Sequence, residues 1–202
     1  MKYLKINPIL CVIPLFIIAW GIVNILFYDT FSSRAIDPEY PYLFNGLNVA
    51  MLKFELIEHF DHPGTPFQVF CGLVIRITHT FTSIDPDIAK DVFKRPDYYL
   101  TSINLFLILL HSFLVLVVGW VGKKRDISTR ALLIIQSSIL FNFLLILIFC
   151  RVIPERWILI TSILFIIIYL QYGYNHRQPL KFAIWSGIVM GMGMATKFNF
   201  LP

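Results

Sequence analysis

Long apolar runs separated by short charged stretches set the plan of the chain. A helix of about 20 apolar residues reaches across the hydrocarbon of a bilayer. Four segments qualify, residues 9–27, 100–121, 131–150 and 157–172, and a fifth covers residues 182–201. Pro154 and the charges Arg151, Glu155 and Arg156 interrupt what would otherwise be one overlong run, so the third and fourth segments are expected to form a tight hairpin. Its turn belongs at a membrane surface. The expected fold is an all-α, multi-span helical bundle forming one membrane domain over residues 1–202.

The apolar stretch 67–81 is short and carries Arg76 and His79, so it reads either as a span or as a helix on the interface. Charge decides between them. As a span it would put Lys123, Lys124, Arg125 and Arg130 outside and the acid-rich stretch 83–97 inside, against the positive-inside tendency. On the interface, it leaves Lys2, Lys5, Lys123, Lys124, Arg125, Arg130, Arg177 and Lys181 on the cytoplasmic side with one acid, Asp126. The amino terminus is then cytoplasmic. Residues 29–98 become one extracytoplasmic loop holding ten of the twelve acidic residues. A loop of that length usually carries function. Within it, residues 46–57 and 67–81 are expected to be amphipathic helices lying on the bilayer, with Lys53, Glu55, Arg76 and His79 toward water.

Composition agrees: 57% of the residues are hydrophobic and 14% charged, and mean hydropathy is +0.74, far from a soluble average. The net charge of +5 comes from short clusters between apolar runs rather than from a basic stripe, which argues against a nucleic-acid partner. Cys11, Cys71 and Cys150 are scattered in apolar surroundings without a C-x-x-C spacing and read as packing residues. The charged start followed by residues 9–27 exceeds a signal-peptide core, and no small-residue cleavage site follows promptly, so it is expected to stay as an anchor.

Three constellations could carry chemistry. Asp37 and Glu39 lie just past the first apolar segment, between Pro38 and Pro41. They are either solvated turn acids or a general base or metal ligand, since desolvation near a low-dielectric boundary raises carboxylate basicity. Asp61 and His62 precede a Pro-Gly-Thr-Pro turn, with His59 nearby. They suit a divalent metal or an acid/base pair, while a helix cap by Asp61 or Thr65 is the structural alternative. In residues 186–197, Gly187, Gly191 and Ala195 give a smooth face for helix packing, and Lys197 either attracts an anionic lipid head group or snorkels to the interface. Glu155 with Arg151 and Arg156 reads as a solvated turn or a lesser candidate. His111, Gln136 and Asn142 are the polar intruders within spans.

In order and context, I-D-P-E-Y (36–40), F-D-H-P (60–63), G-K-K-R-D-I-S-T-R-A-L-L (122–133) and G-M-G-M-A-T-K-F (191–198) resemble the GT-C glycosyltransferases of the protein O-mannosyltransferase and aminoarabinose-lipid A transferase type, family 39-like. The resemblance covers nearly the whole chain. It implies inverting transfer of a sugar from a polyprenyl-phosphate donor to a lipid, glycan or protein acceptor on the outer face of a bacterial inner membrane. Asp37 then deprotonates or orients the acceptor hydroxyl. Asp61 with His62 binds a divalent metal or the acceptor, and Lys197 holds the lipid phosphate. The family often has adjacent Asp-Glu, whereas Pro38 separates Asp37 from Glu39 here, leaving the catalytic assignment open between them. Family members usually continue through further spans, so an amino-terminal portion or an inactive short form is expected. A noncatalytic membrane subunit and a lipid or solute transporter are the other readings.

Overall fold

The computed structural model describes residues 7–27, 39–57, 65–149, 152–174 and 178–196, without the side chains of 143–149. Every regular element among them is helical. A 3-10 turn, Pro8–Cys11, leads into α1 (Val12–Phe27), and α2 (Tyr40–Ala50) and α3 (Thr65–Thr82) follow. A short α4 (Ile88–Lys94) precedes α5 (Pro96–Lys124), α6 (Thr129–Phe149), α7 (Pro154–Ile168) and α8 (Pro179–Thr196). A π-helical turn, Tyr169–Gly173, extends α7.

Proline sets many of these starts. Pro8, Pro41, Pro96 and Pro154 sit in first turns, where a missing N–H costs nothing and the fixed φ suits a helix. Asn7 caps the first turn by accepting from the Ile9 N–H at 3.2 Å. Lys123 and Lys124 lie in the last turn of α5, at the negative end of its dipole. The Lys124 ammonium sits 3.4 Å from the Trp120 ring centroid. The chain then turns at Asp126, whose φ is 59°.

Among the described residues, three helices are long and apolar enough to cross a membrane: Pro8–Phe27, Pro96–Lys124 and Pro154–Gly173. They match three of the five expected segments, and α3 is not among them. α6 and α8 occupy the other two.

α5 is the central element, packing against α1, α3, α6 and α7. Ser112 donates to the Pro14 carbonyl at 2.9 Å, and Gln136 of α6 donates to the carbonyls of Leu10 and Val115 at 3.2 and 2.9 Å. These amides and hydroxyls lie where no water is available, so each bond replaces one that burial removed. Asn142 is exposed and donates to the preceding turn, at the Ser138 carbonyl.

α2 and α3 form a close hairpin. A Cβ on Gly46 would stand 2.7 Å from Cys71 Cβ, and one on Gly72 would stand 2.9 Å from the Gly46 carbonyl oxygen, so the two glycines let the backbones touch. Arg76 Nε donates to the Ala50 carbonyl at 2.6 Å. The expected helix over 46–57 is displaced: Pro41 starts it at Tyr40, and Leu52, at φ 61°, ends it before a 3-10 turn, Phe54–Leu56. Lys53, Glu55 and Arg76 are exposed as expected, and His79 is half-buried against the Asp85 carbonyl. Burial pushes the Cys71 thiol above its ordinary pKa, consistent with a packing role.

The glycine face of α8 departs from expectation. Gly187 and Gly191 would meet nothing within 4 Å if given a Cβ. Spacing favours close packing, yet among the described residues that face of α8 is open.

Candidate functional site

The start of α2 is pinned to the start of α7 by one carboxylate. Glu39 is 7% exposed, and its Oε1 accepts from the Val152 N–H at 2.6 Å. Val152, Ile153 and Pro154 are all buried beside it. An α-helix leaves its first N–H groups unbonded, and Pro154 fixes where α7 begins. The carboxylate thus holds the entry to α7 from a segment more than a hundred residues earlier.

Two residues into α7, Arg156 is 0% exposed. Its Nη1 donates to Asn104 Oδ1 on α5, and the Glu39 carboxylate supplies it with a favourable negative charge. Asn104 is itself fully buried. Burying a guanidinium in apolar surroundings is tolerated only with such partners. Arg156 is therefore not the solvated turn residue that its place beside Pro154 suggested. His111, two turns along α5 and fully buried, bonds the Leu107 carbonyl through Nδ1 at 2.6 Å.

Aromatic side chains wall this end. Trp157 lies between Phe67 and Phe70, with centroid separations of 6.4 and 5.3 Å, and Tyr42 meets Phe67 edge-on at 5.7 Å. α3 thereby closes over the beginning of α7. The opposite end is tied separately, where the Arg125 guanidinium donates to the Gln171 carbonyl. α5 and α7 thus run parallel, with the Glu39–Arg156 group at one end only.

A second polar knot joins α3, α4 and α5. Asp91, 0% exposed, accepts from Arg95 Nε and Nη2 at 2.9 and 2.7 Å and from the Tyr99 hydroxyl at 2.6 Å. Arg95 Nη2 also donates to the Thr82 carbonyl at 2.7 Å, which ties down the end of α3. The Arg95 hydrogen bonds, reinforced by Tyr99 and the Ile84 N–H, outweigh desolvation and hold the Asp91 carboxyl at about 2. Its folded value lies below the unfolded one, so the stabilisation is present above about pH 4 and is lost as pH falls toward about 2. Asp91→Asn should flatten the acid limb of the melting curve between about pH 4.5 and 2.5, at a cost of about 2 kcal/mol at neutral pH. Melting in detergent micelles across that range checks it; an acid limb identical to wild type contradicts it.

Of the candidates read from sequence, the structure positions Glu39. Asp37, Asp61, His62, His59 and Lys197 lie outside the described residues, so the expected metal or acceptor pair and phosphate-binding lysine do too. Among the described residues no group of three His, Cys, Asp or Glu could hold a metal ion. Arg156, Asn104 and the Asp91–Arg95–Tyr99 knot are buried polar groups that join separate helices, and sequence reading passed over all but Arg156. The four-residue spacing of Asp91, Arg95 and Tyr99 across a Pro96 helix start was the available signal. No protein-family model matches the chain, and neither does a curated protein or a solved structure.

Proposed function

We propose that the chain is a membrane glycosyltransferase of the GT-C type, or the amino-terminal part of one, transferring a sugar from a polyprenyl-phosphate donor to an acceptor at the outer face. The observation that carries this reading is the bond from Val152 N–H to Glu39. It holds Glu39, which follows the first apolar helix, at the entry to α7, two residues beyond which lies the buried Arg156. Activating an acceptor hydroxyl calls for a general base, and a carboxylate near a low-dielectric boundary is the more basic for its desolvation; Asp37 lies two residues from that anchor.

In this reading five helices span the membrane, α6 and α8 included, the amino terminus is cytoplasmic, and residues 29–98 form an outer cap. The protein resides in a bacterial inner membrane. The acceptor oxygen attacks the anomeric carbon as its bond to the donor phosphate breaks, and its proton passes to Asp37. Lys197 offsets the charge growing on the leaving phosphate. Asp61 with His62 holds the acceptor or a divalent metal. Glu39 is a positioning residue, because its carboxylate is engaged with Val152 and Arg156.

Sugar transfer from radiolabelled polyprenyl-phosphate sugars, in membranes expressing the chain with and without downstream sequence, tests the assignment. Asp37→Asn should lower transfer by about 10³-fold with an unchanged melting temperature. Glu39→Gln should lower melting and reduce transfer about tenfold, since it keeps the bond from Val152 but removes the charge beside Arg156. Transfer unaffected by Asp37→Asn refutes the base assignment; no transfer from either length of chain refutes the enzyme. A transporter is the second reading, favoured by the fully buried His111, Gln136 and Arg156 on α5, α6 and α7. It requires solute or lipid movement to depend on His111.

A further inference from the structure

A cleft of about 560 Å³ opens between the end of α2, the last turns of α3 and the start of α4. Lys53, Arg76 and His79 line it, and Asp87 is the acid among its lining residues. Asp87 is otherwise occupied: its Oδ1 accepts from the Ala89 and Lys90 N–H groups at 2.9 and 3.3 Å as the cap of α4. Arg76 is held by its bond to the Ala50 carbonyl, so its exposed guanidinium is presented from a fixed stem. The lining thus carries two permanent positive charges, Lys53 and Arg76, against the single negative charge of Asp87.

The surroundings are apolar. Leu52, between two lining residues, is 65% exposed, and Phe54 and Leu56 beside Lys53 are more than half and half exposed. Ile84, two residues before the lining Pro86, is exposed as well. A soluble anion would gain from the bases and nothing from this rim. An amphiphile gains from both, with a phosphate among the bases and its chains along the leucines and phenylalanine.

We infer that this cleft binds the phosphate head group of an anionic membrane phospholipid. Lys53 and Arg76 pair with the phosphate, and the 52–56 turn lies against the acyl chains. This interaction is separate from sugar transfer and stands whether or not the chain is a glycosyltransferase. Native mass spectrometry of the full chain in neutral detergent, with phosphatidylglycerol and phosphatidylcholine in competition, tests it. Phosphatidylglycerol should be retained preferentially. Lys53→Gln should weaken it about fivefold, and the Lys53→Gln, Arg76→Gln pair about 25-fold.

A Lys123→Gln, Lys124→Gln variant, altered in the basic cluster at the end of α5, should bind as wild type. Equal retention by the cleft variants, or equal loss from the α5 variant, overturns the inference. Displacement by glycerol phosphate at matching concentration overturns the lipid in favour of a soluble anion. Should the double variant fail to fold, Lys53→Gln decides alone, because that side chain is exposed.

Discussion

Arg156→Met is expected to lower the melting temperature of the purified chain by about 10 °C, corresponding to roughly 3–5 kcal/mol. The methionine fills much of the volume, so the loss is electrostatic. It removes the guanidinium whose charge the buried Glu39 carboxylate favours, and takes away a donor to the Asn104 side-chain oxygen. Arg156→Lys should recover part of the loss, since a single ammonium keeps the charge but not the reach of the planar guanidinium. Combining Arg156→Met with Glu39→Gln should cost less than the sum of the two, by more than about 1 kcal/mol, because both changes remove the same charge–charge attraction. Additive losses, or an Arg156→Met shift under about 2 °C, would show that the pair does not hold α2 to α7.

Gly72→Ala should cost about 2 kcal/mol, although alanine is the better helix former. A Cβ there meets Val49 Cγ1 at 2.8 Å and the Gly46 carbonyl oxygen at 2.9 Å. The side chain could rotate away, but the carbonyl belongs to the α2 backbone and cannot yield without parting the hairpin. Gly191→Ala is the matched comparison: it meets nothing within 4 Å and should gain up to about 1 kcal/mol from helix propensity alone. Melting of the two variants side by side separates packing from propensity, and equal shifts would refute the close α2–α3 contact.

Hydropathy and proline placement made most helices legible. Residues 9–27, 100–121 and 157–172 recur as Pro8–Phe27, Pro96–Lys124 and Pro154–Gly173, because an apolar run and a proline at its first turn are both local signals. Helix α4 was not legible, since its seven residues are held by the Asp91–Arg95–Tyr99 bonds more than by any apolar period. The fate of Arg156 was hidden for a related reason. A charge beside Pro154 looks like a turn, and partners distant along the chain, Asn104 and Glu39, accompany its burial. The glycines of α8 show the converse: their spacing promised a packed face, and the neighbour that would use it is not among the described residues. Of the expected site residues only Glu39 lies among the described ones, and sequence could not separate its role from that of Asp37. Glu39 accepts from the Val152 N–H, and the proposal gives it a positioning role on that ground.

Sidedness carries the whole functional account, because the acidic cap and the Glu39–Arg156 end must face outward for a lipid-linked donor to be used there. Single-cysteine variants Ser83→Cys and Ser128→Cys, in a background with Cys11, Cys71 and Cys150 replaced, place an exposed thiol in the α3–α4 loop and in the α5–α6 turn. Intact cells are treated with a membrane-impermeant maleimide. The account predicts labelling of the residue 83 thiol in intact cells and of the residue 128 thiol only after permeabilisation; the reverse pattern, or labelling of both from outside, contradicts it.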